Sequence, residues 1–334
     1  MNCATIPRDG TMEIKSLTIA IPVLNGGELL AETFAAIDRQ RNARGVDVEL
    51  LVIDSGSSDG SAELAERHGA RVIRIDKSEF SHGGTRNRAV AEARGDAVAL
   101  LTQDATPAGE DWLDAIVDGF GAADDVALVY GPHLPRPAHS HVVKRELAAH
   151  FETFRADGTE TVVQRGSDAP TFFSDVNGAV AKWAWERVPY REVPYAEDQL
   201  LGREMIEAGF AKVYSPAAAV VHSHDYAAIE SFKRYFDEYR GLREVIGYRA
   251  PFGIRSSLRT VAGLTRQDRA FLRSQGHDGA LLGATLFSLR HHSLRVLGEQ
   301  LGGRADKLPD WLSTRLSLEG RGGFRDEFAG EGRW

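Results

Sequence analysis

Cysteine is almost absent from this sequence of 334 residues, which contains only Cys3. A single cysteine excludes an internal disulfide framework and any zinc site built from cysteines. Basic residues are not in excess either, because 40 lysines and arginines face 48 aspartates and glutamates, for a net charge of −8. An acidic chain is poorly suited to bind the backbone of a nucleic acid as its main partner.

Long apolar runs are also missing. No stretch approaches the roughly 20 apolar residues that span a bilayer, and residues 1–16 lack the apolar segment of a signal peptide. We therefore expect a cytoplasmic protein, either free or peripheral at the inner face of the cell membrane. Residues 1–15 are expected to form a flexible leader, and residues 320–334, rich in glycine and charge, a disordered tail.

Two common nucleotide-binding motifs are missing too. Gly26 and Gly27 follow the first predicted strand, but no third glycine completes the GxGxxG of a Rossmann dehydrogenase. The GxxxxGK[ST] motif of a P-loop NTPase does not occur. A nucleotidyltransferase is disfavoured as well, since Gly26 and Gly27 have no lysine or arginine beside them.

What the sequence does contain is a regular alternation of strand and helix patterns. The apolar runs that predict strands are 17–25, 48–53, 71–75, 97–101, 126–130, 172–180 and 217–221. The amphipathic stretches that predict helices are 28–40, 62–68, 85–93, 142–154, 227–243 and 281–301, the last with His291 and His292 at its surface. This α/β order is typical of a doubly wound, mostly parallel sheet flanked by helices, here with a helical C-terminal extension.

Polar side chains follow several of the predicted strands. Asp54 follows the second strand, Asp104 follows the fourth, and His222 and His224 follow the last. In an open parallel sheet, ligands bind outside the carboxyl ends of the strands. Carboxylate and neutral imidazole are both metal ligands, and histidines two residues apart on a strand point to the same side.

Three motifs resemble family 2 of the nucleotide-sugar glycosyltransferases, which have the GT-A fold. They are IAIPVLN at 19–25, VIDSGSSDG at 52–60 and TQDA at 102–105. The segments FSHGGTRN at 80–87 and LTQDA at 101–105 make the resemblance closest to bacterial rhamnosyltransferases of that family.

The likeness covers roughly residues 16–240. It implies a GT-A catalytic domain at 16–226, with a nucleotide-binding half at 16–107 and an acceptor half at 108–226. A helical region at 227–319 would follow.

The resemblance also implies roles for individual residues. Asp54 would accept a hydrogen bond from the imide N–H of a uracil or thymine ring, which suits an acceptor-only carboxylate. Arg86, in a basic and glycine-rich helix start, would contact the nucleotide. The other residues implied at the donor are Pro22, Asn25, Gln103 and Asn177, the last through a sugar hydroxyl.

This sequence contains only part of the family's metal-binding motif. The family has Asp-x-Asp at this strand end, whereas here Gln103 and Ala105 flank Asp104, so both outer acids are missing. Mg²⁺ keeps several waters and takes further oxygens from phosphates. Asp104 with His222 or His224 would therefore hold Mg²⁺ or Mn²⁺. Alternatively, the dependence of the enzyme on a metal ion would be weakened.

An acidic pair begins the helix predicted after residue 196. Asp198 aligns with the family's catalytic base, which takes the proton of the acceptor hydroxyl in an inverting transfer. Glu197 would orient neighbouring groups or the acceptor.

Each of these residues also has a simpler interpretation. Asp54 would bind the backbone N–H groups of a turn, although Asp59 fits that role better. Arg86 would lie on a solvated helical face, and Glu197 with Asp198 would only complement a helix N-terminus. The basic, aromatic stretch at 229–243 would pack on the domain or a second subunit, or lie on a membrane surface.

We therefore expect an inverting family 2 glycosyltransferase. It would move rhamnose from dTDP-rhamnose to a saccharide or lipid-linked saccharide in cell-surface polysaccharide synthesis. The alternatives are a transferase that uses another UDP or dTDP sugar, and a catalytically silent sugar-nucleotide-binding protein. The C-terminal helices would provide a peripheral membrane contact or a homodimer interface.

Overall fold

The computed structural model describes residues 13–155, 161–193, 195–251, 253–276 and 281–318. The predicted leader up to residue 12 and the predicted tail at 320–334 lie outside these residues. The described chain divides into two compact units. The first contains residues 13–136, 150–192 and 198–222, and the second contains residues 137–149, 193–197 and 223–318.

The strands all belong to the first unit. They are β1 (Ser16–Val23), β2 (Asp47–Asp54), β3 (Arg71–Arg74), β4 (Ala97–Leu101), β5 (Thr106–Pro107), β6 (Val126–Tyr130), β7 (His133–Leu134), β8 (Val162–Gln164), β9 (Asn177–Ala181), β10 (Ala211–Tyr214) and β11 (Val220–Val221). Eight of them form one sheet in the order β3-β2-β1-β4-β9-β6-β10-β8, and the other three form a small sheet in the order β5-β11-β7. In the large sheet only β8 and β9 run antiparallel to their neighbours.

The helices are named in chain order. They are α1 (Gly27–Ile37), α2 (Ser61–Arg67), α3 (His82–Glu92), α4 (Trp112–Phe120), α5 (His141–Glu152), α6 (Lys182–Trp185), α7 (Glu197–Glu207), α8 (Ala228–Ile246), α9 (Ile254–Ser274), α10 (Leu281–Gly302) and α11 (Asp310–Leu316). Helices α8 to α11 and most of α5 lie in the second unit. None of the helices in the described part of the chain is long and apolar enough to cross a membrane.

The core of the first unit lies along the central strands. β4 reads AVALL and β6 reads VALVY, and every residue of both is buried. Continuous apolar strands of this kind are expected where helices cover both faces of a parallel sheet. The predicted GT-A type of architecture, a mostly parallel sheet flanked by helices, is therefore confirmed.

Two predicted strands differ from the structure. Residues 172–176 are not part of a strand, because β9 begins at Asn177. The last strand ends at Val221, so His222 and His224 lie beyond it. The side-chain alternation of a strand therefore does not apply to these two histidines. β1 runs through Pro22, which pairs with Ile53, and ends one residue later.

The second unit buries the aromatic face of α8. Phe236 and Tyr239 of that helix are buried. A Cβ on Gly302 of α10 would overlap the carbonyl oxygen of Phe236, so α8 and α10 pack closely. His292 of α10 is fully buried, which corrects its predicted surface position; its neighbour His291 is half-buried.

Candidate active site

The carboxyl ends of the central strands place the predicted residues along one edge of the sheet. Val23 pairs with Asp54, so the ends of β1 and β2 are level. β9 runs in the opposite direction, and its first residue, Asn177, pairs with Leu101 at the end of β4. Asn177 therefore lies at the same edge as the loop that carries Asp104.

Two aspartates organise the loops at the ends of β1 and β2. Asp54 is buried, and it accepts hydrogen bonds from the backbone N–H groups of Gly56 and Ser57 at 3.3 and 3.2 Å. Asp59 accepts one from the N–H of Gly27 at 3.1 Å, and a hydrogen bond from the Ser61 hydroxyl lowers the pKa of Asp59. Asp59 thus has its predicted turn role, and Asp54 makes similar bonds.

Asn25 and Gln103 connect the neighbouring strand ends. The Asn25 side-chain oxygen accepts a hydrogen bond from the N–H of Ser58 at 2.9 Å, and Asn25 has a left-handed φ of 50°. The Gln103 amide accepts from the N–H of Leu24 at 2.9 Å and donates to its carbonyl at 3.3 Å. Both side chains therefore fix the shape of these loops.

Arg86 is buried in an ion pair that the sequence did not predict. Its Nε lies 2.5 Å from Oδ2 of Asp175. Oδ1 of Asp175 accepts a hydrogen bond from the Tyr190 hydroxyl at 2.5 Å. Burial, together with the charge of Asp175, raises the pKa of Tyr190 well above its usual range, so the hydroxyl stays protonated as a donor.

Asp198 lies near this ion pair, at the start of α7. Its Oδ2 accepts a hydrogen bond from the backbone N–H of Asp175 at 3.3 Å, and its Oδ1 accepts from the N–H of Gln199 at 2.7 Å. Arg86, Asp175 and Asp198 are therefore linked in one chain of contacts. Nothing in the sequence singled out Asp175 except its position two residues before Asn177.

The residue before the acidic pair is in an unusual conformation. Ala196 has a φ of 63°, in the left-handed region that alanine avoids at a cost of about 1–2 kcal/mol. Glu197, the first residue of α7, is buried. Backbone strain of this kind is often found at functional sites.

Asp104 and His222 come together at the end of the small sheet. The Nε2 of His222 lies 3.6 Å from Oδ2 of Asp104, and the two side chains are only 12% and 16% exposed. Val221 of β11 pairs with Thr106 of β5, and this pairing brings His222 close to Asp104. Two donor atoms at this distance suit one divalent cation about 2.1 Å from each.

His224 belongs to the second unit. Its imidazole is exposed and stacks on Tyr226, with ring centroids 5.2 Å apart.

His133 is a further histidine at the small sheet that sequence reasoning missed. Its ring lies edge-on to His222, with centroids 5.4 Å apart. Burial, together with His222 and His150, lowers the pKa of His133 well below its usual range, so the imidazole is neutral. Its buried Nε2 has no hydrogen-bond partner among the described residues. No sequence signal marks it apart from its place just after β6.

Asn177 makes its hydrogen bonds inside the protein. Its side-chain oxygen accepts from the Trp112 indole at 2.9 Å, and its amide donates to the carbonyl of Ala218 at 2.7 Å. A Cβ on Gly131 would overlap that same carbonyl oxygen, so only glycine fits beside it. Asn177 therefore joins β9 to α4 and to the loop before β11.

Comparisons with known proteins agree with this architecture. A sequence model of the family described as glycosyl transferase family 2 matches residues 18–176. The O-antigen chain rhamnosyltransferase WbaN of Salmonella anatum is 35% identical over 233 residues, which cover 66% of this chain and 70% of that protein. The O-antigen chain rhamnosyltransferase RfbN of Salmonella typhimurium is 33% identical over 230 residues, with the same coverage.

A solved structure shares the fold over most of the chain. It is the mannosyltransferase PcManGT from Pyrobaculum calidifontis in complex with GDP-Man and Mn²⁺, with a TM-score of 0.55 and 19% identity. The match covers 89% of this chain and 87% of that one.

The fold and the polar edge of its sheet define a GT-A glycosyltransferase. The chain belongs to glycosyl transferase family 2, as its similarity to WbaN and RfbN shows. The predicted family, fold and enzyme class are confirmed.

Proposed function

We propose that this enzyme is an inverting transferase that moves rhamnose from dTDP-rhamnose to a saccharide or lipid-linked saccharide in cell-surface polysaccharide synthesis. The observation that carries the proposal is the pairing of Asp104 with His222 at the carboxyl edge of the sheet. The choice of rhamnose is supported by WbaN and RfbN, which are named O-antigen chain rhamnosyltransferases.

Asp54 and Arg86 would bind the nucleotide. Asp54 lies at the end of β2, where ligands of an open parallel sheet are expected. The Arg86 guanidinium also donates from Nη1 to the carbonyl of His82 at 3.1 Å, and from this position it would contact pyrimidine or phosphate oxygens. Asn25, Gln103 and Asn177 would shape the donor site through the loops that they hold in place, and Pro22 would lie beside it near the end of β1.

Asp104 and His222 would hold Mg²⁺ or Mn²⁺. When bound there, the ion offsets the negative charge that develops on the leaving diphosphate. The Mn²⁺ in PcManGT supports this assignment.

Asp198 would be the catalytic base. It takes the proton of the acceptor hydroxyl while that oxygen forms a bond to the anomeric carbon, opposite the breaking bond to the diphosphate. The N–H groups of Asp175 and Gln199 fix the orientation of its two carboxylate oxygens. Glu197 would orient groups around the base.

Substitution of Asp198 tests the proposal. We expect Asp198→Asn to lower kcat by at least about 10²-fold, since general base catalysis contributes 10²–10⁴-fold. Release of dTDP from dTDP-rhamnose with a saccharide acceptor measures the rate. Donor affinity by calorimetry should be unchanged. The control Asp111→Asn changes an exposed aspartate next to a helix start and should keep full activity.

Other outcomes of this assay separate the alternatives. Unchanged turnover by Asp198→Asn would exclude it as the base. Full activity in EDTA would exclude a metal role for Asp104 and His222. Turnover with a different UDP or dTDP sugar, but not with dTDP-rhamnose, would show that the donor is that other sugar. Donor binding without any turnover would identify a silent binding protein.

A further inference from the structure

The two long helices α9 and α10 expose large apolar side chains. On α10, Leu282, Leu286 and Leu289 are 78%, 61% and 39% exposed. On α9, Ile254 and Leu258 are 82% and 65% exposed. Residues three and four apart share a helix face, so each helix carries an apolar stripe directed to solvent.

The amphipathic arrangement of α10 is the reverse of the usual one. A surface helix of a globular protein normally directs its leucines to the core. The buried positions of α10 are instead Ser288, His292, Gly298 and Gly302, with Val296 as the one large apolar side chain among them. Within the described part of the chain, the leucine stripe is left uncovered.

Positive charge accompanies these stripes. Helix α9 has five arginines and a single acidic residue, Asp268. Asp268 is fully buried and pairs with Arg145 and His292, so it does not offset the exposed charge. This helix is strongly basic within a chain whose net charge is −8.

Three arginines of α9 and the last leucine of the α10 stripe border the same groove. It has a volume of about 530 Å³ and lies between α9 and α10. Arg266, Arg269 and Arg273 line it from α9, and Leu289 lines it from α10. We name the exposed Leu282, Leu286, Leu289, Arg266 and Arg273 the α9–α10 face.

We propose that the α9–α10 face docks on an anionic lipid bilayer. The arginines would contact lipid phosphates, and the leucines would enter the boundary between headgroups and acyl chains. A second copy of the chain fits less well, because two arginine-rich faces repel each other. The inference deepens the proposed function by giving a site for contact with the membrane of a lipid-linked acceptor, and it does not depend on Asp198.

Vesicle binding by the full chain tests the inference. We expect co-sedimentation with phosphatidylglycerol–phosphatidylcholine vesicles, weaker binding as salt rises, and little binding to phosphatidylcholine alone. Leu282→Glu with Leu286→Glu should lower the partition coefficient at least tenfold, and so should Arg266→Glu with Arg273→Glu. Trp311→Glu, which changes a side chain that is 67% exposed on α11, is the control.

Several results would overturn the inference. They are absence of binding to anionic vesicles, equal binding to both vesicle types, and wild-type binding by both double variants. A concentration-dependent dimer by light scattering that the double variants abolish would instead identify a self-association surface.

A separate measurement keeps this test distinct from the catalytic proposal. Both double variants should keep wild-type turnover with a water-soluble acceptor and unchanged circular dichroism, because the altered residues are exposed. Asp198→Asn should lose turnover but bind vesicles as the wild type does.

Discussion

Arg86 and Asp175 form a buried contact that bears on stability and on the proposed binding of the nucleotide. The guanidinium is nearly buried, and the carboxylate of Asp175 balances its charge. Tyr190 occupies the second oxygen of that carboxylate. Arg86 is therefore held in one orientation, which would lower the entropy cost of the nucleotide contact proposed for it.

We expect Asp175→Asn to destabilise the protein by roughly 3 kcal/mol, since it leaves the Arg86 charge buried and unbalanced. Urea unfolding measures the change. The control is Asp118→Asn, which removes a half-exposed partner of Arg44 and should cost less than about 1 kcal/mol. Equal stability of Asp175→Asn and the wild type would contradict this reading of the ion pair.

The sequence predicted the positions of some site residues but not of others. Asp104 and His222 both follow predicted strands, but the small sheet that brings them together, through pairing of β11 with β5, was not predicted. Asp175 and His133 could not be predicted in this way. Their surroundings come from Arg86 and His222, which are distant in sequence.

At the scale of elements, β4 and α10 illustrate opposite outcomes. β4 is a continuous apolar run, and its predicted bounds are those observed. In α10 the leucine pattern would ordinarily mark the buried face of the helix. That expectation wrongly placed His292 at the surface. His292 is buried because its Nε2 bonds to Asp268 at 2.7 Å, a contact between two helices that no local pattern encodes.

The contact between α9 and α10 predicts a dependence of stability on pH. Burial alone would raise the pKa of Asp268, but hydrogen bonds from His292 and Arg145 hold that pKa below its usual range. The folded state therefore releases this proton more readily than the unfolded state, whose pKa is about 3.9. The resulting stabilisation is present above about pH 4 and is lost as the pH falls through the lowered value.

We expect Asp268→Asn to be less stable than the wild type at pH 7 and to lose less stability between pH 5 and pH 3. Thermal unfolding at each pH measures both effects. Asp310→Asn, which changes an exposed aspartate of the same unit, is the control and should follow the wild type. If the stability of Asp268→Asn fell as steeply with falling pH as that of the wild type, Asp268 would not be the source of the pH dependence.

At the scale of the whole molecule, the two units interleave along the chain. Residues 137–149 and 193–197 belong to the second unit, although residues of the first unit precede and follow them. The sequence pattern changes to helices at about residue 227, which is why the predicted boundary falls at 226. A pattern read along the chain could not predict that α5 supplies Arg145 and Glu146 to the later helices.

This interleaving predicts that residues 1–226 do not fold as a stable protein alone. Truncation there removes Asp268 and Arg295, which pair with Arg145 and Glu146 of α5. We expect the truncated chain to unfold without a cooperative transition in urea and to bind a hydrophobic dye. A chain that ends at residue 318 keeps every described contact and should unfold cooperatively. A cooperative transition of the 1–226 chain with wild-type stability would show that the first unit is independent of these charge pairs.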